Sequence, residues 1–148
     1  VSLKNIVRLL HKDYNEIDKY EEIKPFSEIK EEIKNGAFPI MPPNKWFDNL
    51  EQQGVLFLNT SFTCRTGKPN SHKHIWADFS QKVLLYVSMQ VPEAVWFLWG
   101  KEAQSNKPYI EQGVFFESRH PMMCSGKYED DFLKFTGFRE TKDLIKWV

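Results

Sequence analysis

The chain has 148 residues, 41% of them hydrophobic and 15% aromatic, which is enough for one buried core and too few for two ordinary domains. Its 20 Lys and Arg balance its 20 Asp and Glu, which excludes an overall electrostatic pull toward nucleic acid or membrane and leaves that work to local basic patches. Cys64 and Cys124 form neither a CxxC nor any metal-ligand spacing, and no apolar run approaches the roughly 18 residues of a membrane span. A single globular domain over 1–148, reduced and intracellular (cytoplasm or nucleus), is expected.

Leu3, Ile6, Val7 and Leu10 fall at helical spacing over residues 2–12, with Ser2 placed as the N-cap. A helix that starts so close to a first residue that is not Met predicts a chain missing its amino-terminal part. Residues 13–32 carry eight acids and read as a solvated face, containing a short helix from Ser27 to Lys34 stopped by Asn35-Gly36. Pro39, Pro42 and Pro43 lead into a helix over Asn44–Gln52, with Trp46 and Leu50 inward and Gly54 as its stop. Three short apolar runs then read as buried parallel strands: Val55–Leu58, Ala94–Trp99 and Gly113–Phe116. A helix is expected over His74–Gln90, its inner face formed by Trp76, Phe79, Val83, Tyr86 and Val87, and a brief helical turn over Glu102–Gln104. The tail returns to helix, with Phe132, Phe135, Leu144, Ile145 and Trp147 supplying apolar contacts. Alternating strand and helix define an α/β fold with a mainly parallel sheet flanked by helices.

Ligands of an open parallel sheet bind beyond the carboxyl ends of its strands. The first expected strand ends at Asn59 and runs into Arg65, Lys68, Ser71, His72 and Lys73, with no acid from 59 to 74. The second ends at Gly100-Lys101, and the third at Ser118-Arg119-His120-Pro121, with no acid from 118 to 128. A neutral chain has thus gathered cations on three loops, as contact with a phosphate backbone requires. The amide of Asn59 offers a donor and an acceptor in one plane, suited either to the edge of a nucleobase or to capping its own loop. His120 either donates to an oxygen that gains charge during a reaction or simply packs. Ser71 reads by default as the N-cap of the helix that follows, with His72 on the surface beside it. Met122, Met123 and Cys124 form an apolar tip that either turns inward or wedges into a base stack.

QGVLFLNTSFTCR, NSHKHIWADF, VWFLWGKEAQ, SRHP and IKW occur in this order between Gln53 and Trp147. Together they resemble the carboxyl-terminal portion of the common uracil-DNA glycosylase family, whose segments read approximately QGVLLLNTVLTVR, SH, VVFLLWGSHAQ, HPSPLS and IDW. VSLKN at residues 1–5 resembles the family's PSLLN. The resemblance implies a short, mainly parallel four-stranded sheet, three of whose strands lie in this chain. It implies an enzyme that flips uracil out of DNA and hydrolyses its N-glycosidic bond, with Asn59 recognising the uracil edge and His120 stabilising the uracil oxyanion. Ser71, His72, Lys101, Pro121, Met122, Met123, Cys124 and Ser125 would contact DNA. Uracil-containing DNA is the implied ligand of a monomer, with a protein inhibitor or replication partner as further expected partners and neither metal nor organic cofactor.

The chain also departs from the family. GQDPYH, with the aspartate that positions or activates water and the tyrosine that blocks thymine, has no counterpart, nor has the phenylalanine on which uracil stacks. HPSPLS has become HPMMCS, so that Met122 stands for a serine and Cys124 for the intercalating leucine, and Lys101 replaces the serine of the GS loop. The alternative these departures imply is a catalytically inactive glycosylase-like domain that binds DNA or protein. Without a glycine-rich phosphate loop or a GxSxG elbow, other nucleotide-binding or hydrolase α/β readings have no motif behind them.

Overall fold

A computed structural model describes all of residues 1–148 and contains six α-helices and two β-strands. The chain forms two compact units, Val1–Leu56 with Glu117–Val148, and Phe57–Phe116.

In the first unit, α1 (Ser2–Tyr14) is free of Gly and Pro and buries Val7, Leu9 and Leu10, while Leu3, expected inside, is exposed. Its N-cap is Val1, one residue before the expected Ser2. It packs on α2 (Phe26–Lys34), which Asn35 and the left-handed Gly36 terminate as their turn chemistry dictates. The acidic stretch between them is more than a solvated face. Glu32 accepts from Lys24 Nζ at 2.5 Å and pairs with Nε2 of the buried His11 at 2.7 Å, and Ile23 and Ile29 are buried. Pro43 opens α3 (Pro43–Gln52), which buries Trp46 and Leu50 as the spacing predicts. The Gln53 side-chain amide donates to Lys146 O and accepts from Lys146 N, and Trp46 Nε1 donates to Trp147 O, so two side chains of α3 and its end hold the tail. The tail is a 3₁₀ turn at Phe132–Lys134 and a single helical turn, with Phe132, Phe135, Phe138 and Trp147 in a row of ring contacts; Leu144 points to solvent.

In the second unit, α4 (Lys73–Gln90) leads to β1 (Val95–Trp99), which crosses through α5 (Lys101–Gln104) and a 3₁₀ turn at Lys107–Tyr109 to β2 (Val114–Ser118), paired in parallel. One turn, α6 (Gly137–Glu140), completes the helices in the carboxyl-terminal tail. β2 enters at Gly113 with φ 144°, where a Cβ would collide with the Trp96 indole and lie 2.8 Å from Ala94 O. Leu84, Leu98 and Ile110 form the core, with Leu58, Trp96, Ala103 and Phe115 packed on it.

Two expectations are corrected. Residues 55–58 do not join the sheet, which consists of β1 and β2; Leu56 and Phe57 stand 65% and 49% exposed. A short apolar run has strand propensity but becomes a strand only where a neighbour supplies the ladder. On α4 the inward row is Ser80, Leu84 and Ser88, whereas Phe79 and Tyr86 are 51% and 64% exposed. The serines are buried because each finds a partner: Ser80 Oγ donates to Thr60 O, and Ser88 Oγ donates to Leu85 O while accepting from Glu111 N. Phe79 instead meets Phe62 and Trp76 edge to face.

Leu84→Ala is expected to cost about 2–4 kcal/mol in urea unfolding, and Tyr86→Ser to stay within about 0.5 kcal/mol; the reverse ranking would place the wrong face inward. A pH effect comes from Asp13. Its carboxylate lies 3.5 Å from the Arg139 guanidinium, one of its oxygens is buried without a hydrogen bond, and burial pushes it up to about 6 against the pull of Lys12 and Arg139. Because the folded value exceeds the unfolded one of about 3.9, its neutral form favours the fold below that value and this contribution is lost as pH rises through 6. Asp13→Asn should therefore raise the denaturation midpoint at pH 7.5, and the gain should disappear by about pH 4.

Candidate nucleic-acid interface

The basic loop of the second unit is held by its own polar side chains. Trp76 Nε1 can only donate, so Thr63 Oγ1 accepts from it at 2.8 Å, and the same hydroxyl pairs with His72 Nδ1, also at 2.8 Å. Ser71 does not cap α4: the N-cap is His72, and Ser71 Oγ accepts from Arg65 N at 2.7 Å, closing a turn that the Arg65–Lys68 bridge and the left-handed Gly67 and Asn70 complete. Lys73 pairs with Glu102 at 2.5 Å, which brings Ser71 and His72 beside the turn that carries Lys101. Asn59 is exposed, and its amide takes part in none of the hydrogen bonds that knit this loop.

In the first unit, Ser118 is buried and the chain turns out to an exposed His120. Met122 N–H donates to His120 Nδ1 at 3.2 Å, so that nitrogen is the acceptor and the ring proton belongs on Nε2. Pro121 is buried and its carbonyl accepts from Asn5 Nδ2 at 2.6 Å. Met122 and Met123 form the tip, 60% and 53% exposed. Of the two alternatives for this tip Cys124 takes the inward one, its thiol 3.4 Å from Pro121 O and pushed up to about 11 by burial and then by the charge of Asp131. Ser125 is exposed, with its N–H bound to the fully buried Asp131 carboxylate.

The cations are fewer than a count of the loops suggests. Arg119 is committed to Asp130, through Nε to the carboxylate at 2.8 Å, and lies 3.6 Å above the Tyr128 ring; Lys73 is committed to Glu102. Arg65, Lys68 and Lys101 remain as exposed positive groups outside these pairs. No group of three or more His, Cys, Asp or Glu side chains is gathered for a metal ion, and no helix is long and apolar enough to cross a membrane. Thr63, Asn5 and Asp131 organise these loops and escaped the sequence reading, since a lone Thr or Asn carries no pattern and Asp131 sits in a YEDD run that looks solvated.

The chain is an α/β protein whose two parallel strands are joined by a helical crossover. Sequence comparison narrows it. The uracil-DNA glycosylase of Brevibacillus brevis is 34% identical over 119 residues, 80% of this chain and 52% of that protein. That of Desulfitobacterium hafniense is 40% identical over 99 residues, 66% of this chain and 44% of that protein, and that of Borreliella burgdorferi 32% over 124 residues, 82% and 53%. The chain belongs to the uracil-DNA glycosylase family and spans about half the length of the curated relatives it matches. No protein-family profile matches it.

Thr63→Val removes the acceptor of the Trp76 indole and the hydrogen-bond partner of His72 together. It is expected to cost about 1 kcal/mol in chemical denaturation followed by tryptophan fluorescence, whereas Ser61→Ala, which loses one exposed bond to Thr63 O, should stay within about 0.5 kcal/mol.

Proposed function

We propose that this chain is the carboxyl-terminal part of a DNA-repair hydrolase that cleaves the N-glycosidic bond of uracil in DNA. The observation that carries the reading is the hydrogen bond from Met122 N–H to His120 Nδ1, which leaves Nε2–H facing solvent as a donor. As the bond between the sugar carbon and the base breaks, its electron pair moves onto uracil, and a donor at the uracil oxygen stabilises that charge without giving up its proton. Water then supplies hydroxide to the sugar carbon and a proton to the departing base. Asn59, with no commitment inside its loop, reads the uracil edge and excludes cytosine, whose donor and acceptor are reversed. The base must leave the stack for these contacts to form, so the enzyme flips it. Exposed Arg65, Lys68 and Lys101 hold the phosphates of a single DNA ligand by charge.

One observation favours a second reading. HPMMCS stands where the family reads HPSPLS, in line with a catalytically inactive glycosylase-like domain that binds DNA or protein.

The deciding measurement is release of uracil from a single-stranded oligonucleotide by this polypeptide, with a thymine oligonucleotide as control. Release that drops by about 10²–10³ in His120→Ala and comparably in Asn59→Ala is expected; excision unchanged by Asn59→Ala would overturn the assignment. Absence of release together with oligonucleotide binding that weakens as salt rises would favour the binding domain.

A further inference from the structure

Residues 120–126 are tied down at both ends and left open in the middle. At the far end stands Asp131, fully buried and an acceptor only. Its Oδ1 accepts from Leu133 N at 2.9 Å, the cap of its own 3₁₀ turn, and from Tyr20 OH at 3.2 Å. Its Oδ2 reaches back to the loop, accepting from Ser125 N at 2.8 Å and Gly126 N at 3.0 Å. One carboxylate thus takes four donors, two more than capping a turn and receiving a phenol would need. Tyr20 also lies flat against the loop: a Cβ on Gly126, itself at φ 71°, would be 2.8 Å from Tyr20 Cε1. At the near end Asn5 Nδ2 holds Pro121 O, and Arg8 holds Asn5 through Oδ1 at 3.2 Å and Lys24 O at 3.0 Å. Of this loop His120, Met122, Met123 and Ser125 are exposed, with Met122 and Met123 between the anchors.

An apolar tip that enters a base stack must meet the cost of unstacking, and a loop that also had to be ordered on binding would lose affinity further. A base fixed before DNA arrives avoids that second cost. We propose that Asp131 is a positioning residue for DNA contact, holding loop 120–126 so that Met122 and Met123 form its wedge and His120 faces the base, with Tyr20 of the acidic segment as the clamp. This rests on the DNA-repair reading and gives residues 13–34 a part in it. The charge on Asp131 is felt by its neighbours as such a frame requires: burial first and then Asp131 push the Tyr20 phenol up to about 12.

The test compares the chain with Asp131→Asn and Tyr20→Phe by hydrogen exchange of the peptide spanning 119–131 and by fluorescence anisotropy with a uracil-containing single-stranded oligonucleotide. Asp131→Asn should speed exchange at Ser125 and Gly126 about tenfold or more while the amides of α1 and α3 keep their protection, and should weaken binding by about the same factor. Tyr20→Phe, which keeps the ring and the charge, should move both readouts in the same direction by a smaller factor, and it preserves the test if the Asn variant folds poorly. Unchanged exchange at Ser125 and Gly126, exchange raised equally across the whole first unit, or an opened loop with undiminished affinity would each overturn the positioning role. An original chain that binds no oligonucleotide would overturn the DNA-repair reading instead, with exchange still reporting on the frame itself.

Discussion

Asp131 shows what a small chain must do to keep an exposed functional loop in one shape. A buried ionised carboxylate is costly unless every lone pair is used, and here two backbone amides of the loop, one of a 3₁₀ turn and a phenol use them. The 3₁₀ turn that Asp131 caps delivers Phe132 and Leu133 into the core beside α1. One side chain therefore joins the aromatic tail, the acidic segment and the loop after β2. Asn5 of α1 repeats the arrangement with a neutral amide at the other end of that loop.

In the second unit the same logic runs through hydroxyls. Ser80, Ser88, Ser71 and Thr63 are each placed where one oxygen serves backbone or ring partners that would otherwise be unmet. Small polar residues with full partners take the inner face of α4, and large aromatics move outward to meet one another. Hydrogen-bond satisfaction, not residue size, decides which side of that helix faces Leu98 and Ile110.

Much of the helical framework was legible because it rests on local rules. Asn35-Gly36 ends α2, Pro43 begins α3, and Trp46 with Leu50 marks its inner face, all from spacing and turn chemistry alone. The parallel pair β1 and β2 was likewise readable as two apolar runs around a short helical crossover. What could not be read depends on distant partners. Val55–Leu58 has strand composition without a place in the sheet, and Phe79 and Tyr86 gave α4 a false inner face. At the loops, the order of the matched segments pointed to the family. It did not show that Cys124 turns inward, that Arg119 is spent on Asp130 and Tyr128, or that Tyr20 crosses to Asp131, since each rests on a contact between residues whose spacing carries no signal.

The outward aromatics of α4 have a colloidal consequence. Ile75, Phe79, Tyr86 and Met89 repeat along one side of the helix and stand more than half exposed, on a chain whose formal charge at neutral pH is zero. Molecules with such a stripe and no net repulsion approach one another freely, so concentration and ionic strength govern whether this chain stays dispersed. A pH away from neutrality, at which every copy carries a net charge of one sign, would keep them apart.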